Sequence, residues 1–338
     1  MRKIHKNIPI FIPHLGCPNM CVFCNQRSIS GHKSFDRESV KSQIWEALKT
    51  IPADAEVEIA YFGGSFTGIE RTLMIYLLDL AQSFIDREDD AYAKVCGIRM
   101  STRPDYINGE ILDVLSHYTI SAIELGLQSM DEDVLVSCRR GHTAMDAKSA
   151  CSLIKERGYY LVGQMMIGLP SSDIDKEIAT ANMICDMGCD GARIYPTVVF
   201  YDTELALMTN RGEYSPLVID DAVKRSAAVL EIFNKRGVDC IRIGLCASDN
   251  LSDESCVMGG ANHPALGELV MGEIYYSSMK DMLRERGITG GAVSFIVPRG
   301  KLSMAIGQKG KNRDRLRLEF GLDKIEIKES DTDGVILL

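Results

Sequence analysis

Short apolar runs rich in β-branched and aromatic residues alternate, along most of this chain, with longer stretches of helical spacing. The runs are IPIFIPH (8–14), VEIAYF (57–62), VCGIRMS (95–101), ISAIELG (120–126), YYLVGQMMIG (159–168), GARIYPTV (191–198) and VDCIRIGL (238–245). Between them lie segments such as SVKSQIWEALKTI and AVKRSAAVLEIFNKRG, with apolar residues three and four positions apart. Alternation of this kind predicts an α/β fold with a mostly parallel sheet and right-handed crossovers. Six or seven such units within residues 1–245 predict a partial (β/α)6-type TIM barrel. A doubly wound open sheet is the alternative.

Barrel enzymes carry their chemistry on the loops that follow the C-terminal ends of the strands. Every unusual motif in this chain falls at such a place. Cys17 follows the first run, Gly63-Gly64-Ser65 the second, Ser101-Thr102-Arg103-Pro104-Asp105 the third and Gln128-Ser129 the fourth. Gly168-Leu169-Pro170 follows the fifth and Tyr195-Pro196-Thr197 closes the sixth.

The stretch HLGCPNMCVFCNQ (14–26) sets Cys17, Cys21 and Cys24 in a C-x3-C-x2-C pattern. Structural zinc takes four ligands and a disulfide two. Thiolates select zinc or iron–sulfur clusters, and cysteines normally hold every iron of a cubane. Three ligands on one loop leave one iron open, the mark of a catalytic site. The competing reading is a zinc ion completed by His14 or His32. The other eight of the eleven cysteines are scattered in apolar company and read as small buried hydrophobes.

The start, MRKIHKNIPIFIPH, has a short apolar run broken by Pro9 and Pro13, unlike a signal peptide. No stretch approaches the roughly eighteen apolar residues of a membrane span. A cytoplasmic protein with no membrane partner is therefore expected. The net charge of −9 argues against a protein coated in phosphate-binding residues. Yet eight Lys and Arg stand against three acids between Arg299 and Lys324, a local +5. There the pattern changes to strand VSFIVP, short helix KLSMAIG, the turn GQKG, helix KNRDRLRLEFG and strand KIEIKE. This β-α-α-β unit is too small for an independent core and is expected to dock on the barrel. The resulting organisation is a barrel at 1–245, a helical extension or linker at 246–290 and the small module at 291–330. The tail ESDTDGVILL carries no signal.

C-x3-C-x2-C with the aromatic Phe23 before its last cysteine resembles the signature of radical S-adenosylmethionine enzymes, a likeness that covers residues 8–245. The resemblance implies a [4Fe–4S] cluster on Cys17, Cys21 and Cys24, whose open iron chelates S-adenosylmethionine. It also implies reductive cleavage to a 5′-deoxyadenosyl radical that abstracts hydrogen from the substrate, with the electron supplied by a reductant such as ferredoxin or flavodoxin. FGGSFTG (62–68) is similar to the family's glycine-rich segment, which implies that Gly63, Gly64, Ser65, Phe66 and Thr67 help to hold the cofactor. Ser101, Arg103, Gln128, Ser129 and Gln164 match places that hold its ribose, carboxylate and adenine; Met165 and Met166 read equally well as core.

STRPDYI (101–107), ELGLQS (124–129), RRGHT (139–143) and RIYPTVVFYDTEL (193–205) resemble, in order and spacing, the radical domain of the Elongator catalytic subunit. That family acts on the wobble uridine of tRNA. The resemblance places Arg103, Asp105, Arg140, His142, Tyr195 and Thr197 at the barrel mouth. The acetyltransferase domain of that family has no counterpart in these residues, and IRIGLCAS departs from its pattern. LSMAIGQKGKNRDRL resembles the core of a KH domain, whose backbone-clamping GXXG loop corresponds to Gly307-Gln308-Lys309-Gly310, with Lys309 and Lys311 as phosphate contacts. Cys246 and Tyr195 are candidates to relay a radical or proton. His263 stands on a loop before a helix, where a place near the pocket and an Asn262 helix cap explain it equally well. The expected function is a radical enzyme that modifies RNA, with tRNA as partner. Its rivals are a radical enzyme on a small molecule or tetrapyrrole, and an RNA-binding protein with a structural metal.

Overall fold

The computed structural model describes residues 4–18, 21–26, 34–88, 91–245 and 255–338. Its main sheet has seven strands in the order β1 (His5–Phe11), β2 (Glu56–Phe62), β3 (Lys94–Thr102), β4 (Ile120–Gln128), β5 (Tyr160–Ile167), β6 (Gly191–Pro196) and β8 (Asp239–Ile243). All neighbouring pairs are parallel. Five consecutive residues of β2 and six of β4 are buried, as expected for strands covered on both faces. β1 and β8 remain edges, so the sheet curls into an open half-barrel, the partial TIM barrel expected from the alternation. The short β7 (Val198–Phe200) leaves it and pairs antiparallel with β9 (Val257–Gly260).

The crossover helices bury one stripe each. In α1 (Val40–Thr50) the stripe is Val40, Ile44 and Leu48, four residues apart. In α2 (Arg71–Ile85) it runs from Met74 to Phe84, and the Glu70 carboxylate caps the helix by accepting from Thr72 and Leu73 N–H. Each fully buried aliphatic side chain contributes about 1.5–3 kcal/mol. The next helices are α3 (Gly109–Leu115), α4 (Glu132–Ser137), α5 (Ala144–Glu156), α6 (Ile174–Asp186), α7 (Glu204–Asn210) and α8 (Ile219–Arg236). A capping box between Thr143 and Asp146 opens α5 one residue after His142, which fixes the approach of the RRGHT segment.

Charged residues fill the middle of the half-barrel. Arg99 Nε donates to Glu58 Oε2 at 2.7 Å and its Nη1 to Glu124 Oε1 at 3.1 Å. Arg193 Nη2 donates to the same Glu124 oxygen at 2.7 Å. Its Nε stands 2.7 Å from Oε2 but is not aligned for a hydrogen bond. Glu124 is fully buried, and two guanidinium groups with the Gln164 amide satisfy it. Burial alone would raise the Glu58 carboxyl, but its bond to Arg99 holds it below the usual range.

Beyond β9 the chain forms α9 (Leu266–Glu285), β10 (Gly291–Pro298), α10 (Leu302–Ile306), α11 (Lys311–Phe320), β11 (Leu322–Ser330) and β12 (Ile336–Leu337). β10 and β11 are parallel, with the β-α-α-β order read from the sequence. The tail contributes β12 as a third strand, antiparallel to β10. Residues 246–290 are more than a helical linker: β9 belongs to a hairpin with β7, and α9 serves two cores. Its Leu266 and Val270 pack on the barrel. Its Tyr276, Met279 and Leu283 pack with Val293, Phe295, Leu316 and Phe320 of the module. No helix among the described residues is long and apolar enough to cross a membrane.

Candidate functional site at the mouth of the half-barrel

The cysteine loop is stitched to the second strand's loop by backbone bonds. Ile12 N donates to Phe62 O at 2.8 Å, His14 N to Gly63 O at 2.9 Å, and Ser65 N to Leu15 O at 2.8 Å. Gly64 makes this approach possible. A Cβ there would lie 2.4 Å from Leu15 O and 2.5 Å from Ile12 O. Its missing side chain therefore serves the seating of the cysteine loop. Further along, Val22 N donates to Cys138 O at 3.1 Å and Leu205 N to Val22 O at 2.8 Å, so α4 and α7 hold the loop's outer edge. Gln26 N donates to His14 Nε2 at 3.0 Å. One imidazole nitrogen of His14 thus closes the cysteine loop. His32 lies outside the described residues.

The three thiols converge. Burial, then the neighbouring Cys21 and Cys17 thiols, pushes the Cys24 thiol up to about 12. Burial, then Cys21, raises Cys17, while Arg103 and Arg140 pull it down. A bound cation reverses the order of these effects on Cys17 and Cys24. Among the described residues no three His, Cys, Asp or Glu side chains gather on a single ion. A multi-iron group with one thiol per corner suits this donor set.

Unpartnered buried atoms stand beside the thiols. Gln128 Oε1, Arg140 Nε and both ring nitrogens of His142 are buried without a hydrogen bond. The Leu127 carbonyl faces the His142 ring without an aligned bond. Arg140 Nη1 donates to Cys21 Sγ at 3.2 Å and Nη2 to Gly126 O at 2.5 Å. Burial, with Arg140 and Arg103 beside it, lowers His142 to about 3, so the imidazole is neutral. Buried polar atoms in native proteins are paired; four orphans around three cysteines fit a polar cofactor resting there.

The remaining candidates divide. Ser65 Oγ and Thr67 Oγ1 lie 2.9 and 2.6 Å from Thr102 Oγ1, and Ser65 Oγ accepts from Arg103 N. These hydroxyls tie the second loop to the third. Arg103 forms a bidentate pair with Asp105, at 2.9 and 2.8 Å. Ser129 Oγ accepts from Asp131 N, and Gln164 Nε2 donates to Glu124 and to Ser101 Oγ. Phe66 is fully buried and stacked on Tyr61, and Phe23 sits in an apolar cluster with Val134, Leu169 and Leu205. Both rings are buried. The Thr197 side chain is buried too and donates to Ile167 O. Met165 is core, and Met166 packs on the cysteine-loop cluster. Tyr195 bonds Arg193 through its hydroxyl, at the upper end of the Glu124 network. Cys246 lies outside the described residues. His263 meets the start of α9: its Nδ1 accepts from Ala265 N at 3.1 Å.

The sequence reading missed Glu58, Arg99, Glu124 and Arg193. Charged residues in the middle of otherwise apolar strands were the available signal.

A groove of about 990 Å³ opens between α8, α9 and the GQKG turn. Gly307, Lys309 and Gly310 take φ of +79°, +54° and +81° there, and a Cβ on Gly307 would sit 2.8 Å from Asn312 N. Lys311 Nζ pairs with Asp220 of α8 at 2.8 Å, and Arg315 pairs with Glu273 of α9. Lys309 is exposed and makes no ion pair among the described residues. Because α8 runs from the mouth back to β8, its first turn brings the groove to the mouth end. Leu217, just before it, packs on Gly168 of the loop after β5.

A parallel half-barrel with three converging thiols on its first loop defines a radical S-adenosylmethionine protein. The chain belongs to the radical SAM superfamily, which residues 11–184 match, and residues 189–276 match the Radical_SAM C-terminal domain. Members of the superfamily use a [4Fe–4S] cluster and S-adenosylmethionine. The chain is 30% identical over 228 residues to an uncharacterized protein of Methanocaldococcus jannaschii, with 64% of this chain and 68% of that one covered. It is 25% identical to Elongator complex protein 3 of Saccharomyces cerevisiae (65% and 46% covered) and 29% identical to the tRNA uridine(34) acetyltransferase of M. jannaschii (57% and 35%). It thus spans half or less of those two relatives. Among solved structures, archaeal Elp3 of Methanocaldococcus infernus superposes with a TM-score of 0.62 at 20% identity, covering 85% of this chain and 64% of that one, a likeness of fold.

Proposed function

We propose that this chain is a radical S-adenosylmethionine enzyme that modifies RNA, with the wobble uridine of a tRNA as substrate. When bound, the cluster and S-adenosylmethionine supply a carbon radical able to abstract hydrogen. Cys17, Cys21 and Cys24 would hold the cluster. Gln128, Arg140 and His142 would offer S-adenosylmethionine the polar atoms that have no partner inside the protein. The Ser65–Thr67–Thr102 hydroxyls and the Arg103–Asp105 pair keep the surrounding loops in place, and the buried Glu124 network closes the floor against water. Tyr195, held by Arg193, is placed to present a hydrogen-bonding hydroxyl to a base entering the mouth.

The observation that carries the RNA reading is the position of the GQKG turn. Its groove is lined by the first turn of α8, so a strand held by Gly307–Gly310 would be led toward the mouth end. Single-stranded segments are what such loops clamp. The 25–29% identity to wobble-uridine proteins supports the same class. We place the enzyme in the cytoplasm, served by a one-electron carrier such as ferredoxin or flavodoxin.

Nucleoside mass spectrometry of tRNA and ribosomal RNA from wild-type and gene-deleted cells tests this. Loss of one modified nucleoside with accumulation of its precursor is the expected result. An unchanged profile rejects RNA and moves the substrate to the small-molecule class.

A further inference from the structure

Arg140 is 7% exposed, and its guanidinium is pinned between a thiol and a carbonyl. Nη1 stands 3.2 Å from Cys21 Sγ, and Nη2 stands 2.5 Å from Gly126 O. Among the described residues no carboxylate pairs with it, whereas Arg103 nearby is neutralised by Asp105. A buried guanidinium without a counter-charge is strongly unfavourable. Before S-adenosylmethionine enters, the balancing negative charge therefore comes from the sulfur side. Three thiolates on a [4Fe–4S]2+ core carry a net −1, and one-electron reduction makes it −2.

We infer that Arg140 is a positioning residue that poises the cluster, favouring its reduced form through an N–H···S bond to Cys21 and an uncompensated positive charge. Hydrogen bonds to cluster sulfurs and local net charge are the levers by which proteins set such potentials. Both act here in the same direction, because reduction adds negative charge beside a fixed cation. Gly126 O orients one edge of the guanidinium. Cys138 O, bonded to Val22 N, anchors the cysteine loop two residues before Arg140 in sequence. The inference rests on the assignment of Cys17, Cys21 and Cys24 as cluster ligands.

The test is an anaerobic redox titration, followed by electron paramagnetic resonance, of the reconstituted full chain without S-adenosylmethionine. Wild type, Arg140→Gln and Arg140→Lys are compared at matched iron and sulfide content. In Arg140→Gln the reduced-to-oxidised ratio at a fixed poise should fall at least tenfold, which for one electron is a midpoint about 59 mV lower. Arg140→Lys keeps the charge and loses the aligned donor, so its midpoint should fall between the two. Equal midpoints in wild type and Arg140→Gln overturn the inference. If Arg140→Gln takes up no iron, Arg140→Lys decides: a midpoint equal to wild type or higher overturns it. A wild type that binds no cluster sinks the cysteine assignment itself, a different failure from equal midpoints on full clusters.

Discussion

Lys311, the first residue of α11, reaches across to Asp220 in the first turn of α8, with Nζ 2.8 Å from Oδ1. Their side chains are 55% and 67% exposed, so the pair contributes little stability. What holds the module is α9, whose first half enters the barrel core and whose second half enters the module's own. The ion pair instead sets the distance between the GQKG turn and the barrel. It also occupies a cation that the sequence assigned to phosphate, leaving Lys309 as the free one on the turn.

Lys309→Glu should therefore weaken RNA binding more than Lys311→Ala. Neutralising one phosphate fewer lowers the log–log salt slope by about 0.7 on single strands. Filter binding across a salt series measures it, and slopes that match wild type in Lys309→Glu count against the turn as a phosphate site. Lys311→Ala should cost less than about 1 kcal/mol of stability in urea unfolding.

Replacing Cys21 with alanine should abolish cluster binding and, with it, formation of 5′-deoxyadenosine. Iron analysis and chromatography of the cleavage products read the two losses separately. A variant that still makes 5′-deoxyadenosine refutes the ligand assignment.

Gly64→Ala forces a methyl against the Leu15 and Ile12 carbonyls, at 2.4 and 2.5 Å from oxygens that backbone cannot easily yield. A destabilisation of about 1–3 kcal/mol and a lower iron content after reconstitution are expected. Full iron content with wild-type stability would show that the two loops slide apart at no cost.

Glu124→Gln removes the carboxylate shared by Arg99 and Arg193 while keeping its shape. Two buried guanidinium groups then lose their common counter-charge, a cost of about 3–5 kcal/mol. A lower urea midpoint checks this; a change below about 1 kcal/mol would mean that solvent reaches the floor of the half-barrel.

His142 should make the protein acid-sensitive. Burial and the adjacent Arg140 and Arg103 hold its folded value at about 3, below the ordinary histidine value of 6.5. Between those values the unfolded chain binds a proton that the folded chain does not, so folding is disfavoured as pH falls. The full stability is present above about 6.5 and declines toward 3 by at most about 1.4 kcal/mol per pH unit. In His142→Phe the stability–pH profile should flatten over that window; an unaltered slope assigns the acid sensitivity elsewhere.

The strands and their order were legible because burial on both faces leaves continuous apolar runs, as in VEIAYF and ISAIELG. The cysteine triplet was legible because ligands on one short loop need no tertiary information. The β-α-α-β order of the C-terminal residues was legible too, although β12 was not: a two-residue strand has no period of its own. Ser65 and Thr67 stood at the expected loop, yet their hydroxyls turned out to serve Thr102 and Arg103.

Local pattern thus determined the half-barrel, the place of its mouth and the three thiols, since hydrophobic period and loop spacing are properties of neighbouring residues. The tertiary structure alone decided that Arg140 meets Cys21 across 119 positions. The same holds for the joining of Arg99 and Arg193 at Glu124 and for the turn of His14 back onto Gln26. Those pairings depend on sheet register and on how far the sheet curls. A buried charge finds its partner only after the strands that carry both have closed.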